Sequence, residues 1–385
     1  MTDVAIIGIG QTPVAEHWET SLRHLAFQAA RSALEDAGLS TVDAIYVGNQ
    51  HADQLSQQQH LGALIADFVG LHGAEAFRVE AADASGAAAL RTGYLAIKSG
   101  EVETVMVLGV EQTTDVVGSR RTAALSTIMD ADYEGAQGAT PAALAALLMQ
   151  RYLHEYALSV EDFAGFSENA HLNASSNPNA MYRNQLRPGM FASAPAVAPP
   201  VSLFDAAPEG DGAAALILTS AERARDLVPS SIRVTGSAVA TDSLSLHDRD
   251  NLLTLSAANR SAGRAYQQAG ISPADVDLFE LHDSYAIVAA LSLEAAGFAG
   301  PGEGCTLANP AGIGRSGQIP VATFGGLKAR GHAGGATGVY QAVEAVLQLR
   351  GQAGDNQVAA AQTALIQSIG GLGGTAVAHI LRADN

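Results

Sequence analysis

Residues 269–281 read AGISPADVDLFEL, and residues 37–47, about 230 positions earlier, read AGLSTVDAIYV. Each has a helix-ending Gly, a Ser cap, a short turn and an apolar run suited to a buried strand. A second pair follows in the same order. Residues 83–100, DASGAAALRTGYLAIKSG, match residues 332–351, HAGGATGVYQAVEAVLQLRG, in pattern: a small-residue turn, an Ala-rich helix and a terminal Gly. An apolar strand comes next in each half, Thr104–Leu108 and then Thr363–Ser368. Two βαβαβ-type halves in one order imply a duplicated α/β fold.

Outside the repeats, Val4 to Ile9 reads as a strand leading into a tight turn at Gly8-Ile9-Gly10. The GxG is followed by Gln-Thr-Pro rather than a helix start, which argues against a dinucleotide site there. Residues 115–205 break the repeat. They hold a helical stretch, Pro141–Tyr156, and a polar Asn/Ser/Pro-rich passage from Asn173 to Pro200. An insertion of this length suits a lid or substrate loop. Ala213–Leu218, after Asp211-Gly212, reads as the strand that returns the chain to the first half.

The 385 residues suffice for two cores or one large duplicated unit. Sparse aromatics and abundant Gly suit helices packed closely on buried sheets. No apolar run reaches the roughly 18–20 residues of a membrane span, and the start lacks the basic n-region of a signal peptide. A single cysteine, Cys305, permits no internal disulfide, so a cytoplasmic location is expected. The formal charge of −18 argues against nucleic-acid or anionic-membrane binding. No histidine spacing suggests a metal site.

Three polar clusters fall at expected strand ends, where open α/β sheets carry ligands. Asp83 precedes Ala84-Ser85-Gly86, His332 precedes Ala333-Gly334-Gly335, and His282-Asp283-Ser284-Tyr285 follows a strand read as Asp277–Glu280. Each has a plainer reading. Asp83 suits an N-cap worth about 1 kcal/mol, a lone histidine is commonly a core or surface residue, and the glycines of 331–338 suit tight helix packing. The coincidence of three such turns in a duplicated fold favours a site.

The runs VEAADASGAAAL at 79–90, DGAAALIL at 211–218, HDSY at 282–285, GGLKARGHAGGATG at 325–338 and SIGGLGGTAVAHIL at 368–381 resemble the thiolase superfamily. The likeness is to its archaeal-type and sterol-carrier-protein-type members, and it spans essentially the whole chain in order. It implies a duplicated, five-layered αβαβα thiolase fold with a loop-domain insertion. The expected boundaries are 1–115 with 206–225 for the N-terminal lobe, 116–205 for the loop domain, and 226–385 for the C-terminal lobe. It also implies coenzyme A thioester substrates, no permanently bound cofactor, a homodimer or dimer of dimers, and a possible small OB-fold, zinc-ribbon partner protein.

The resemblance places the family's nucleophilic cysteine at Asp83 and its second, acid/base cysteine at Ser284; this chain has neither thiol. Cys305, in GPGEGCTLANP, matches no catalytic motif. His282 and His332 correspond to the oxyanion-hole and base histidines. The candidate catalytic set is therefore Asp83, His282, His332, Tyr285 and Ser284. Arg120, Arg121, Arg183, Arg187 and Gly371 are candidates for binding the CoA thioester, while Lys328 and Arg330 are candidates for meeting a partner protein.

Thiolysis needs a thiolate, which is both good nucleophile and good leaving group; a carboxylate is a weak nucleophile, and the acyl-aspartate anhydride it would form hydrolyses readily. Three activities remain open. A retro-aldol lyase acting on a β-hydroxyacyl-CoA needs only a base, Asp83 or His332, an oxyanion site at His282 and a proton donor such as Tyr285. An acyltransferase would use Ser284 or Ser85, although Ser85 reads as a small turn residue. The third is a non-catalytic acyl-CoA-binding or scaffolding subunit.

Overall fold

The computed structural model describes residues 2–384. The first half supplies β1 (Val4–Gln11), β2 (Ala44–Gly48), β3 (Glu75–Val79) and β4 (Thr104–Glu111). A small hairpin, β5 (Ala196–Ala198) and β6 (Val201–Ser202), lies in the insertion, and β7 (Gly212–Ser220) returns to the first half. The second half supplies β8 (Ile232–Thr241), β9 (Leu278–Glu280), β10 (Thr363–Gly370) and β11 (Thr375–Ala383). Apart from the hairpin these strands form one nine-stranded sheet in the order β3-β2-β4-β7-β1-β8-β11-β10-β9.

The order makes the duplication visible as a mirror about the β1–β8 junction. In the first half β2 runs parallel to β3 and β4, and β7 then pairs antiparallel with both β4 and β1. In the second, β9 is parallel to β10, and β11 is antiparallel to both β10 and β8. The halves meet through a short antiparallel ladder, Val4 to Val234 and Ile6 to Ile232. The repeats of 37–47 and 269–281 are thus the helix-to-strand passages into β2 and β9. The helices ending there stop at Gly38 and Gly270, both in the left-handed region at φ 65° and 66°.

Alternation along the strands sorts side chains into layers. Ala5, Ile7, Ile45, Val47, Met106 and Leu108 face an outer layer made by helices Leu22–Ala37 and Leu61–Val69. Their sequence neighbours Ile6, Tyr46, Val105 and Val107 face inward, onto two central helices, Ser85–Ser99 and Thr337–Leu349. Leu278, Ala364, Ile366 and Leu381 of the second half close on the same two helices. On the far side Leu365, Ala378 and Ile380 pack with helices Ser256–Ala269 and Ala286–Ala295. With the two halves of the sheet as separate layers, the result is helix, sheet, paired central helices, sheet, helix, the five-layered αβαβα arrangement that the sequence resemblance implies. No helix among the described residues is long and apolar enough to cross a membrane.

One expectation changes. The first strand does not turn at Gly8-Ile9-Gly10 but continues through it to Gln11. A Cβ on Gly8 would lie 2.4 Å from the Ala33 carbonyl oxygen, and one on Gly10 would lie 2.3 Å from that of Ala29. These glycines therefore serve close strand–helix packing. The insertion has its helix at Pro141–Tyr156 as read from sequence, and its Met129, Leu144, Leu148, Tyr152 and Phe163 join the core of the second half. Gly8→Ala is expected to cost about 1–3 kcal/mol through overpacking. Urea unfolding checks this, and an unchanged midpoint would refute the close contact.

Candidate active site

The two central helices bring the polar turns together. Gly86 and Gly338 sit at their crossing, where a Cβ on Gly86 would come 2.8 Å from the Gly335 carbonyl oxygen and one on Gly338 2.4 Å from the Ala87 nitrogen. Because the helices touch near their N-termini, the residues just before them, Asp83 and His332, become neighbours. Both positive helix ends point into the same region. The packing reading of the 331–338 glycines and the site reading therefore both hold.

Asp83 reaches its place through Ala82, which adopts the left-handed conformation (φ 51°). It does not cap the helix; the cap residue is Ala84, without a side-chain bond. Instead its carboxylate accepts a hydrogen bond from the Gly371 N–H at 3.0 Å and lies 3.2 Å from His332 Nε2. Ser85 is consumed locally, donating to the Ala82 carbonyl and accepting from the Ala81 N–H at 2.9 Å.

His332 follows Gly331, whose φ of 109° only glycine adopts readily. Its backbone is held in a parallel bridge to Glu209: the His332 N–H donates to the Pro208 carbonyl and the Gly210 N–H donates to the His332 carbonyl, both at 2.9 Å. The ring Nδ1 lies 2.9 Å from Thr337 Oγ1 at the start of the second central helix. His282, fully buried, follows β9 and stands edge-on to His332 with ring centroids 5.8 Å apart. Neither of its ring nitrogens has a hydrogen-bond partner, and nor does the buried hydroxyl of Ser284.

The glycine-rich segment 325–331 wraps the same loop. Asp283 accepts from the Leu327 N–H at 2.7 Å and the Lys328 N–H at 3.3 Å. Lys328 is buried and donates to the carbonyls of Leu203 and Ala206 at 2.9 and 2.5 Å. Arg330, also buried, lies 3.4 Å from Glu344 and over the Tyr340 ring. The expectation that these two cations meet a partner is therefore wrong: both hold the interior of the chain together.

Above the pair opens a cavity of about 300 Å³. The first half contributes Gln50 and Asp83, and the second Ser284, Tyr285, His332 and Gly371. The insertion roofs it with Leu125, Ile128, Pro141 and Val197 among others, in keeping with a lid. Glu209, which sequence reasoning did not single out, also lines it. A signal lay in PEGDG at 208–212: a carboxylate directly before the strand that re-enters the first half.

None of the four candidate arginines is among the lining residues. Arg120 is exposed and Arg121 half-buried on the helix Ser119–Leu125, whose Thr122 and Leu125 do line the cavity. Arg183 and Arg187 are exposed on a different segment. Cys305 is buried on the turn Gly304–Leu307, away from the lining, and burial together with Asp162 and Glu294 pushes its thiol up.

Electrostatics separate the histidines. Burial opposes charge on His332, yet Glu209 and Asp83 raise its pKa above the ordinary 6.5. Burial also works against an ionised Asp83, but the bond and charge of His332 and the Gly371 N–H bring it down to about 2. The two form a hydrogen-bonded pair in which each favours the charged form of the other. His282, by contrast, is pushed down to about 3, chiefly by burial, and stays neutral. The stabilisation from Asp83 is present above its ordinary 3.8 and is lost as pH falls toward 2. That from His332 is present below 6.5 and is lost as pH rises through its raised value.

Asp83→Asn is expected to lower the titration midpoint of His332, read by imidazole NMR. The stability difference between wild type and variant should also shrink as pH rises through the wild-type midpoint. A His332 midpoint that does not move would refute the pairing.

Comparison with known proteins agrees with this architecture. The thiolase N-terminal domain family matches residues 4–194, and the thiolase C-terminal domain-like family matches residues 238–383. The acetyl-CoA acetyltransferase of Methanothermobacter thermautotrophicus is 42% identical, with 99% of each chain covered, and that of Methanocaldococcus jannaschii is 40% identical at the same coverage. Sterol carrier protein 2 of Gallus gallus is 28% identical over 97% of this chain and 70% of its own. Among solved structures, an Ltp2-ChsH2(DUF35) aldolase superimposes with a TM-score of 0.86 at 25% identity, covering 100% of this chain and 98% of that one. Two thiolase domain families matched in order, and relatives at this identity along nearly the whole length, mean that this chain belongs to the thiolase superfamily.

Proposed function

We propose that the protein is a carbon–carbon bond lyase of the retro-aldol type that acts on a β-hydroxyacyl-CoA without a covalent intermediate. The observation that carries this reading is the content of the cavity. The paired Asp83 and His332 line it, a neutral, unpartnered His282 lies just behind them, and no cysteine lines it. Such a set suits an enolate. Cleavage leaves negative charge on the thioester oxygen, which His332, its protonated form favoured by Asp83 and Glu209, stabilises as a preorganised donor. Asp83 acts here by holding His332 charged and oriented, in place of a nucleophile. The aldolase named in the structural superposition supports the same chemistry.

An acyl-transfer reading is supported by the acetyl-CoA acetyltransferase relatives and by Ser284, whose hydroxyl lines the cavity without a partner. It requires Ser284 to be deprotonated, and the neutral His282 is two residues away in sequence. As to partners, the DUF35 component named in the solved aldolase supports assembly with a second protein; a homodimeric or dimer-of-dimers core belongs to the same reading. Arg120 and Arg121 lie on the helix Ser119–Leu125, next to cavity-lining Thr122, and in this reading they are the candidates for the CoA phosphates.

LC–MS analysis of β-hydroxyacyl- and β-ketoacyl-CoAs, with and without free CoA, tests the proposal. The expected result is cleavage of a β-hydroxyacyl-CoA without added CoA, slowed by about 10²–10³-fold in Asp83→Ala as the oriented donor is lost. CoA-dependent cleavage of a β-ketoacyl-CoA would refute it in favour of acyl transfer.

A further inference from the structure

Several carboxylates near the cavity are consumed by the chain itself. Asp83 is held by Gly371 and His332, Asp283 by the N–H groups of Leu327 and Lys328, and Asp211 by those of Thr113, Thr114 and His17. Glu111 accepts from the N–H groups of Gln50, His51 and Gly335. Glu209 differs. Its side chain lines the cavity beside Ser284, Tyr285 and His332, and its ionisation is set by burial and neighbouring charges with no hydrogen bond among the described residues. The carboxylate is nevertheless well positioned, because residues 208–210 are laddered to His332 on both sides.

We propose that Glu209 is the general base that takes the β-hydroxyl proton in the carbon–carbon cleavage, an inference that rests on the lyase reading. The alternatives are engaged elsewhere: the Asp83 carboxylate is bonded on both oxygens, and His332 lies against that carboxylate, which favours its protonated form. Burial raises the proton affinity of Glu209, as do the nearby charges of Asp83 and Asp211, while His332 and Arg121 oppose them. A base that is neither salt-bridged nor strongly acidic is what an alcohol proton requires.

In the step, Glu209 takes the hydroxyl proton, the oxygen electron pair forms the new C=O, and the Cα–Cβ bond breaks. That bonding pair passes to Cα and the thioester oxygen as an enolate. His332 then protonates Cα, and the proton on Glu209 returns to His332 through solvent. The substrate has become a carbonyl compound and a shorter acyl-CoA, with no other reactant consumed.

The test compares wild type, Glu209→Gln and Glu209→Ala in CoA-free cleavage, with thermal melts to confirm folding and sodium formate as a small carboxylate probe. Both variants should lose about 10²–10⁴-fold in kcat, in line with removal of a general base. KM should change little, and formate should restore a measurable part of the rate to Glu209→Ala but not to Glu209→Gln, which still fills the space. Glu209→Gln turning over within about threefold of wild type, a rate difference of less than about 1 kcal/mol, would overturn the role of Glu209 alone. So would a loss in Glu209→Ala that formate leaves untouched. A wild-type protein that cleaves no β-hydroxyacyl-CoA would overturn the lyase reading and this role with it.

Discussion

The contact of the two central helices near their N-termini is the constraint on which the site depends. Gly86 and Gly338 allow backbones to approach where any Cβ would collide. That approach fixes the distance between the turns preceding the helices, and so between Asp83 and His332. Each turn comes from a different half of the duplicated fold, and the cavity lies where their strand ends converge. A larger residue at either glycine would separate the halves of the site before it affected any residue that touches substrate.

Around this contact the buried polar groups form a graded series. Arg330 and Glu344 are deep in the interior, where breaking one partner of a buried pair typically costs about 3–5 kcal/mol. Lys328 and Asp283 tie the glycine-rich segment to the loops on either side. Asp83 and His332 are satisfied by each other and by the backbone. At the cavity, Ser284 and Glu209 go without hydrogen-bond partners, with His282 unpartnered just behind them. Unpartnered polar groups beside a cavity are ones to which a ligand can supply the missing bonds.

The relatives and the chemistry pull in different directions, and this is informative. Two acetyl-CoA acetyltransferases share two-fifths of the sequence, while the cavity is lined by the carboxylates of Asp83 and Glu209 and by His332, without a thiol. Fold follows from ancestry, whereas reaction type follows from the few side chains at the converging strand ends.

Much of this protein was legible without coordinates. The repeats of 37–47 with 269–281 and of 83–100 with 332–351 announced a duplicated α/β chain, because capping glycines and apolar periodicity are local properties. The turns bearing Asp83, His282 and His332 stood out for the same reason. Gly8 and Gly10 were misread as a turn because a glycine that loosens a chain and one that admits a helix look alike in sequence. Lys328 and Arg330 were taken for surface cations, since charge alone does not say whether a partner is buried nearby. Asp83 suited an N-cap, and only the approach of the second half showed that its bonds go to Gly371 and His332. Glu209 went unnoticed because its place beside His332 depends on a bridge between residues more than a hundred positions apart. The sequence by itself thus determined the secondary elements, the duplication and the turns that could carry chemistry. Which polar groups meet, which are satisfied and which remain free was decided by tertiary structure, because pairing across the two halves is a matter of distance in space.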